Sequence, residues 1–239
     1  MILCLDSGNT RIKWGVHDGH GWLAQGALLH AETARLTRLL QQWPDCQQAW
    51  LANVAGEAAA QAIRQALGPL AAKLHVLAAG PAAGGVINRY AQPEKLGVDR
   101  WCALIGARSL FANRPLLVVM AGTATTIDSL NAEGEFLGGL ILPGISLMQD
   151  SLGRGTAGLS IQSGEHQSFP RCTADAIHTG VLEAQAGAIE RAFARLPGDA
   201  PLCLLAGGNA ALLAGLLNLP NQLVDNLPLT GMQEIAKHS

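Results

Sequence analysis

The sequence lacks any excess of positive charge: 16 Lys and Arg stand against 18 Asp and Glu, for a net charge of −2. A chain that grips nucleic acid or an anionic membrane surface carries a basic stripe, so neither kind of partner is expected. Charge of either sign is scarce, at 14% of residues, while 49% are hydrophobic. That balance suits a protein that buries a subunit interface as well as a core. Cysteine has no pattern. Cys4, Cys46, Cys102, Cys172 and Cys203 are odd in number and scattered, with no C-x-x-C pair, which argues against a disulfide frame or a zinc site and for small buried thiols in a reducing compartment. No apolar run reaches the roughly 20 residues that span a bilayer. The first residues form a strand pattern rather than a leader-like block, and a cytoplasmic protein is expected. His17, His20, His30, His75, His166, His178 and His238 show no ligand spacing and read as surface or capped-core residues.

What is present is organised around the first thirteen residues. An apolar run over 1–5 reads as a buried strand that stops at Asp6, and Ile12, Trp14 and Val16 then alternate with smaller or polar residues, the period of a second strand. Ser7-Gly8-Asn9 between them is turn chemistry. The hairpin tip therefore carries a carboxylate, short polar side chains, backbone N–H groups and Lys13. Such a tip can hold a phosphate with its metal, the N–H groups and Lys13 facing the anion and Asp6 the cation. An ordinary hairpin turn accounts for the same residues. A third strand is expected over 22–29, helices over 32–43 and 57–67, short strands over 49–54 and 74–77, and a Gly- and Ala-rich loop over 80–86. The segment 88–101 follows with Tyr90, the sole tyrosine, and Gly97-Val98-Asp99-Arg100-Trp101 opening an apolar helix. Asp99 as a helix cap explains its place; functional side chains crowded in one loop are also a site signal.

The second half repeats the first. A strand over 116–119, the turn Gly122-Thr123-Ala124-Thr125-Thr126, and strands over 127–130 and 136–142 reproduce the order of residues 1–29. Beyond them the pattern gives a helix over 145–152, an irregular polar stretch over 153–169, and a helix over 173–194 with Thr173 as its cap. A strand over 202–205 then runs into Gly207-Gly208-Asn209, followed by a helix, an edge strand over 221–225 and a helical tail from 229. With 239 residues the chain can hold two domains, expected over 1–113 and 114–239. Two glycine turns of this kind could clamp one nucleotide from both sides.

With these pieces in order the chain resembles the type III pantothenate kinases, within the actin, Hsp70 and sugar-kinase superfamily. The resemblance rests on Asp6-Ser7-Gly8-Asn9-Thr10 with Lys13, Tyr90 to Pro93 leading into Gly97-Val98-Asp99-Arg100-Trp101, Gly122-Thr123-Ala124-Thr125-Thr126, Gly138-Gly139 with Pro143-Gly144, Thr173 with Asp175-Ala176-Ile177, and Gly207-Gly208. It implies an α/β fold of two duplicated ribonuclease-H-like domains, mixed sheets flanked by helices, with the active site in the cleft between them. It also implies a homodimer and phosphoryl transfer from ATP to pantothenate. Carried over by position, Asp6 would help hold Mg²⁺, and Asp6, Ser7, Gly8, Asn9, Thr10, Arg11, Ile12 and Lys13 would cradle the phosphates. Thr123 would contact ATP. Tyr90, Gly97, Val98, Asp99, Arg100 and Thr173 would bind pantothenate, with Asp99 accepting the proton of its hydroxyl.

One position departs from the family. Met120 stands where an aspartate commonly helps bind an activating monovalent cation, K⁺ or NH₄⁺. A thioether offers no oxygen to a hard cation. The cation is then bound otherwise with help from Asp128, or is not needed, or the catalyst is impaired and the chain acts as a regulatory binding protein. Asp6, Asp99 and Asp128 also admit a ribonuclease-H-type two-metal nuclease, against which stand the negative charge and the duplicated glycine turns.

Overall fold

The computed structural model describes residues 1–155 and 164–238. Two compact units emerge: one is Met1–Ala112 with Gly134–Phe136 and Asn226–Ser239, the other Asn113–Glu133 with Leu137–Asp225.

The first unit opens with strands β1 (Ile2–Ser7), β2 (Arg11–His17) and β3 (Trp22–Leu29). They form an antiparallel meander in which Ser7 lies opposite Ile12 and Arg11 opposite Leu29. Helix α1 (Arg35–Gln42), β4 (Gln48–Asn53), α2 (Glu57–Leu67) and β5 (Leu74–Val76) follow. The sheet order is β3-β2-β1-β4-β5, with β4 and β5 running parallel to β1. Leu36, Leu39, Ala60 and Ile63 cover one sheet face, formed by Leu3, Leu5, Ile12 and Leu51. On the opposite face Cys4, Trp50 and Ala52 pack against Val98, Cys102, Leu229 and Met232. Those last residues belong to α3 (Val98–Leu110) and to α7 (Leu227–Lys237), the helix at the end of the chain.

The tail, expected with the second domain, packs in the first unit because α3 and α7 meet backbone to backbone. A Cβ on Gly231 would lie 1.8 Å from the Cys102 carbonyl oxygen, and one on Gly106 would lie 2.3 Å from that of Leu227. Only glycine permits this approach. The expected loop over 80–86 instead enters a small hairpin, β6 (Ala82–Ala83) and β7 (Val86–Asn88). Strand β7 lies parallel to the first residues of β10 (Glu135–Pro143), Asn88 opposite Phe136.

In the second unit β8 (Leu116–Ala121) pairs antiparallel with β9 (Ala124–Leu130), and β10 is the next strand outward. On the other side β11 (Leu202–Ala206) and β12 (Asn221–Leu223) run parallel to β8. The order β10-β9-β8-β11-β12 thus matches β3-β2-β1-β4-β5 of the first unit, which is the duplication read from the sequence. Helices α4 (Ile145–Gly155), α5 (Thr173–Phe193) and α6 (Ala210–Ala214) complete the unit. Val181, Leu182 and Ile189 of α5 pack on Leu117, Val119, Cys203 and Leu205. Of the polar stretch 153–169, residues 156–163 lie outside the described residues.

Candidate active site

Strand β1 delivers Asp6 to the sheet's end, beside Lys13 across the β1–β2 pair. The tip is a tight hairpin in which the Gly8 N–H donates to the Arg11 carbonyl at 3.2 Å, leaving Asn9 and Thr10 at the turn. Asp6 is 8% exposed, and its Oδ1 is buried without a hydrogen-bond partner. Burial pushes its carboxyl up to about 6; the negative charge of Asp99 adds to the rise and Lys13 opposes it. An orphaned, buried carboxylate oxygen fits the ligand set of a hard cation. Ser7 is also buried with an unpaired hydroxyl oxygen. Ile12 is wholly buried in the core, so only its backbone can face a ligand.

The electrostatic coupling of Asp6 to Asp99 places the start of α3 near the hairpin. Asp99 is not the cap expected from its sequence position. Gly97 is the N-cap and makes no side-chain bond, while Asp99 sits in the first helical turn, where the helix dipole favours negative charge. A Cβ on Gly97 would come within 2.7 Å of Asp99 Oδ1, so the glycine leaves room for that carboxylate. Val98 faces the core with Cys4 and Leu229. Arg100, 5% exposed, donates from Nη1 to the Tyr90 hydroxyl at 3.2 Å. Its guanidinium carbon lies 5.8 Å from the ring centres of both Tyr90 and Phe136, and those rings are 5.1 Å apart. Tyr90, Arg100 and Phe136 are therefore one assembly, with Asp99 next to Arg100 in the first turn of α3.

Two polar residues that sequence reasoning passed over hold this framework. Asn88 donates to the carbonyls of Gly80 and Pro93 at 3.2 and 3.0 Å and accepts from the Tyr90 N–H at 3.1 Å. His30 Nε2 lies 2.7 Å from the Gly8 carbonyl oxygen. The Asn-Gly-Pro-rich setting of Asn88 was a turn signal only, and a lone histidine after a strand carries no signal at all.

In the second unit three turns converge. The Gly144 N–H donates to the Thr123 carbonyl at 2.9 Å, and a Cβ on Gly144 would stand 2.3 Å from the Gly122 oxygen. The Asn209 N–H donates to Ala121 at 3.1 Å, and Gly207, with φ +105°, presses on the same carbonyl. Thr123 is exposed at this junction. Thr173 is exposed as the first residue of α5, whose N-cap is Cys172 rather than Thr173. Met120 pairs with Thr126, whose buried Oγ1 has no partner, and Asp128 pairs with Val118 on the same sheet face, wholly buried. Among the described residues no group of three or more His, Cys, Asp or Glu could hold a metal ion, and no helix is long and apolar enough to cross a membrane.

Solved structures share this architecture. A conserved Campylobacter jejuni protein assigned to the Baf family of transcriptional activators has a TM-score of 0.66 at 23% identity, covering 99% of this chain and 98% of that one. The activator of 2-hydroxyisocaproyl-CoA dehydratase from Clostridium difficile, with bound ADPNP, has a TM-score of 0.56 at 13% identity, covering 99% and 93%. The duplicated sheets with glycine turns at their first hairpins define a protein of the actin-like ATPase and sugar-kinase fold class. The family model for type III pantothenate kinases matches residues 2–195. A type III pantothenate kinase of Dechloromonas aromatica is 56% identical over 239 residues, 100% of both chains. Another, of Aromatoleum aromaticum, is 49% identical over 240 residues, covering 99% of this chain and 98% of the relative. The chain belongs to the type III pantothenate kinase family.

Proposed function

We propose that the protein phosphorylates pantothenate with ATP, yielding 4'-phosphopantothenate in the first step towards coenzyme A. Family membership over the full chain supports the reaction, and the observation that carries the site is Asp6 with an unpaired buried oxygen, electrostatically coupled to Asp99 and Lys13. Phosphoryl transfer asks a protein chiefly for positioning and charge neutralisation, with a carboxylate to take the hydroxyl proton.

Each residue then has a task. In the turn from Ser7 to Arg11 the Gly8 N–H is bonded to Arg11, so the Asn9 N–H is the one offered to phosphate oxygens, and Lys13 adds a positive charge. Asp6 fits Mg²⁺, a hard cation that is bound through one or two carboxylates plus substrate phosphates; when bound it would neutralise charge developing on those phosphates. Thr123 contacts ATP. Asp99 accepts the hydroxyl proton, and its place in the first turn of α3 keeps it turned back over Gly97. Arg100 and Tyr90, joined by their hydrogen bond, shape the pantothenate pocket with Gly97 and the backbone of Val98, and Thr173 contacts the same substrate. Met120 offers no oxygen to a monovalent cation, since a thioether is soft; of its neighbours on that sheet face Thr126 Oγ1 is neutral, and Asp128 is wholly buried and already engaged. Turnover is accordingly expected to be the same in K⁺ and in Na⁺. Exposed Leu137, Leu140 and Ile141 on β10, with Leu147 and Leu152 on α4, support a homodimer. Five free cysteines suit the cytoplasm.

The deciding experiment is a coupled assay of ADP release from MgATP with and without pantothenate, in each salt. Pantothenate-dependent turnover is expected, and Asp99→Asn should lower kcat by about 10²–10⁴ with the ATP KM little changed. A folded protein that binds pantothenate without turnover would replace this reading with the regulatory binding protein.

A further inference from the structure

We propose that His30 is a positioning residue that sets the orientation of the phosphate-binding turn; the inference rests on the reading of Asp6 to Lys13 as that turn. The β2–β3 register brings Arg11 opposite Leu29, so the residue after β3 arrives beside the hairpin tip. There His30 Nε2 lies 2.7 Å from the Gly8 carbonyl oxygen. A carbonyl can only accept, so the ring carries its proton on Nε2 and donates to Gly8.

The consequence follows from the geometry of one peptide group. The carbonyl of Gly8 and the N–H of Asn9 belong to the same planar unit, and no peptide bond among the described residues is cis, so the two point in opposite directions. Holding the Gly8 oxygen towards His30 aims the Asn9 N–H away from it, outward from the turn. Without that bond the peptide can flip at low cost, because the flip turns ψ of Gly8 and φ of Asn9, and glycine and asparagine tolerate the conformations that result. A flipped peptide would present an oxygen, not an N–H, to an incoming phosphate.

His30 is itself held from below. Its own carbonyl accepts from Thr33 Oγ1 at 2.6 Å and from the Thr33 N–H at 3.2 Å. The Leu29 N–H donates to Glu32 Oε2 at 3.0 Å, which closes the short turn around the histidine. The ring also borders a cavity of about 260 Å³ shared with Asn9, Thr33 and Ala55, Ala58, Ala59 and Ala62. Open space on that side means that replacing the imidazole meets no clash.

The test compares His30→Leu, which removes the donor, with His30→Gln, whose amide can donate to the same carbonyl. Kinetics and melting temperature are measured for both, with Lys13→Ala alongside. His30→Leu should raise the KM for ATP about tenfold, the effect of losing one well-placed hydrogen bond. Its KM for pantothenate and its melting temperature should stay near wild type, and His30→Gln should recover most of the loss. In the wild-type protein the Asn9 amide resonance should shift on adding MgATP. An unchanged ATP KM in His30→Leu, a Gln variant no better than Leu, a lowered melting temperature with normal KM, or a silent Asn9 amide would each overturn the proposal. If Lys13→Ala weakens ATP while His30→Leu does not, only the role of His30 falls. If Lys13→Ala leaves ATP unaffected, the phosphate-turn reading falls and this inference with it.

Discussion

Asp6, the carboxylate proposed to hold the metal, acts against the fold that surrounds it. Burial and the nearby charge of Asp99 raise its carboxyl from an ordinary 3.8 to about 6, so the native state binds that proton more tightly than the unfolded chain does. Its contribution favours the native state below the unfolded value and is lost as pH rises to about 6. Ionised Asp6 therefore costs stability at neutral pH. Asp6→Asn, nearly isosteric and uncharged, is expected to be more stable than the wild type at pH 8, by on the order of 2–3 kcal/mol. The difference should vanish in denaturant melts at the acid end of that window. Activity should be lost at every pH, and a mutant less stable than wild type at pH 8 would contradict the buried-charge account. Tyr90→Ala belongs to the same scale. Its hydroxyl accepts from Arg100 and its ring packs by Phe136, so steady-state kinetics should show a higher KM for pantothenate with that for ATP little changed. The reverse split would move Tyr90 to the nucleotide.

At the scale of elements, regular pattern was legible and close backbone contact was not. The β1–β2 hairpin declared itself through the alternation of Ile12, Trp14 and Val16 and the turn residues before them. The meander of β8 to β10 was equally plain from its apolar runs. Strands β6 and β7 were invisible because two or three residues carry no period. Helix α7 was legible as a helix, but its place was not, since its contact with α3 is made by Gly106 and Gly231, which leave no hydrophobic signal. At the site the same division holds. Asp6, Lys13, Asp99 and Arg100 stood out through residue type and neighbourhood, whereas Asn88 and His30 act by bonding to backbone groups, those of Asn88 within its own loop and that of His30 far along the chain. Gly231→Ala tests the glycine contact. It should lower unfolding free energy by about 1–3 kcal/mol in urea melts, as overpacking does, because the Cys102 carbonyl has no room to yield.

For the whole molecule, the thiols give a readout of integrity. Cys4 and Cys203 are buried with their thiols pushed up to about 12 by desolvation, and Cys102 is raised well above the usual range for the same reason. Cys172 is exposed and Cys46 half-buried. A thiol reagent such as DTNB should therefore titrate Cys172 at once and Cys46 more slowly. The remaining three should react only as the chain unfolds, and fast modification of Cys102 would show that α7 leaves its seat on α3. That seat bears on how the chain is made. Helix α7 is synthesised after every residue of the second unit, yet it covers the face of β1, β4 and α3 lined by Cys4, Trp50 and Cys102. The usual vectorial order, in which an N-terminal domain folds before the next emerges, cannot run to completion here. The nascent protein carries an open apolar face until α7 leaves the ribosome, and the Asp99–Arg100 helix gains its backing only then. Catalytic competence thus waits on the docking of α7.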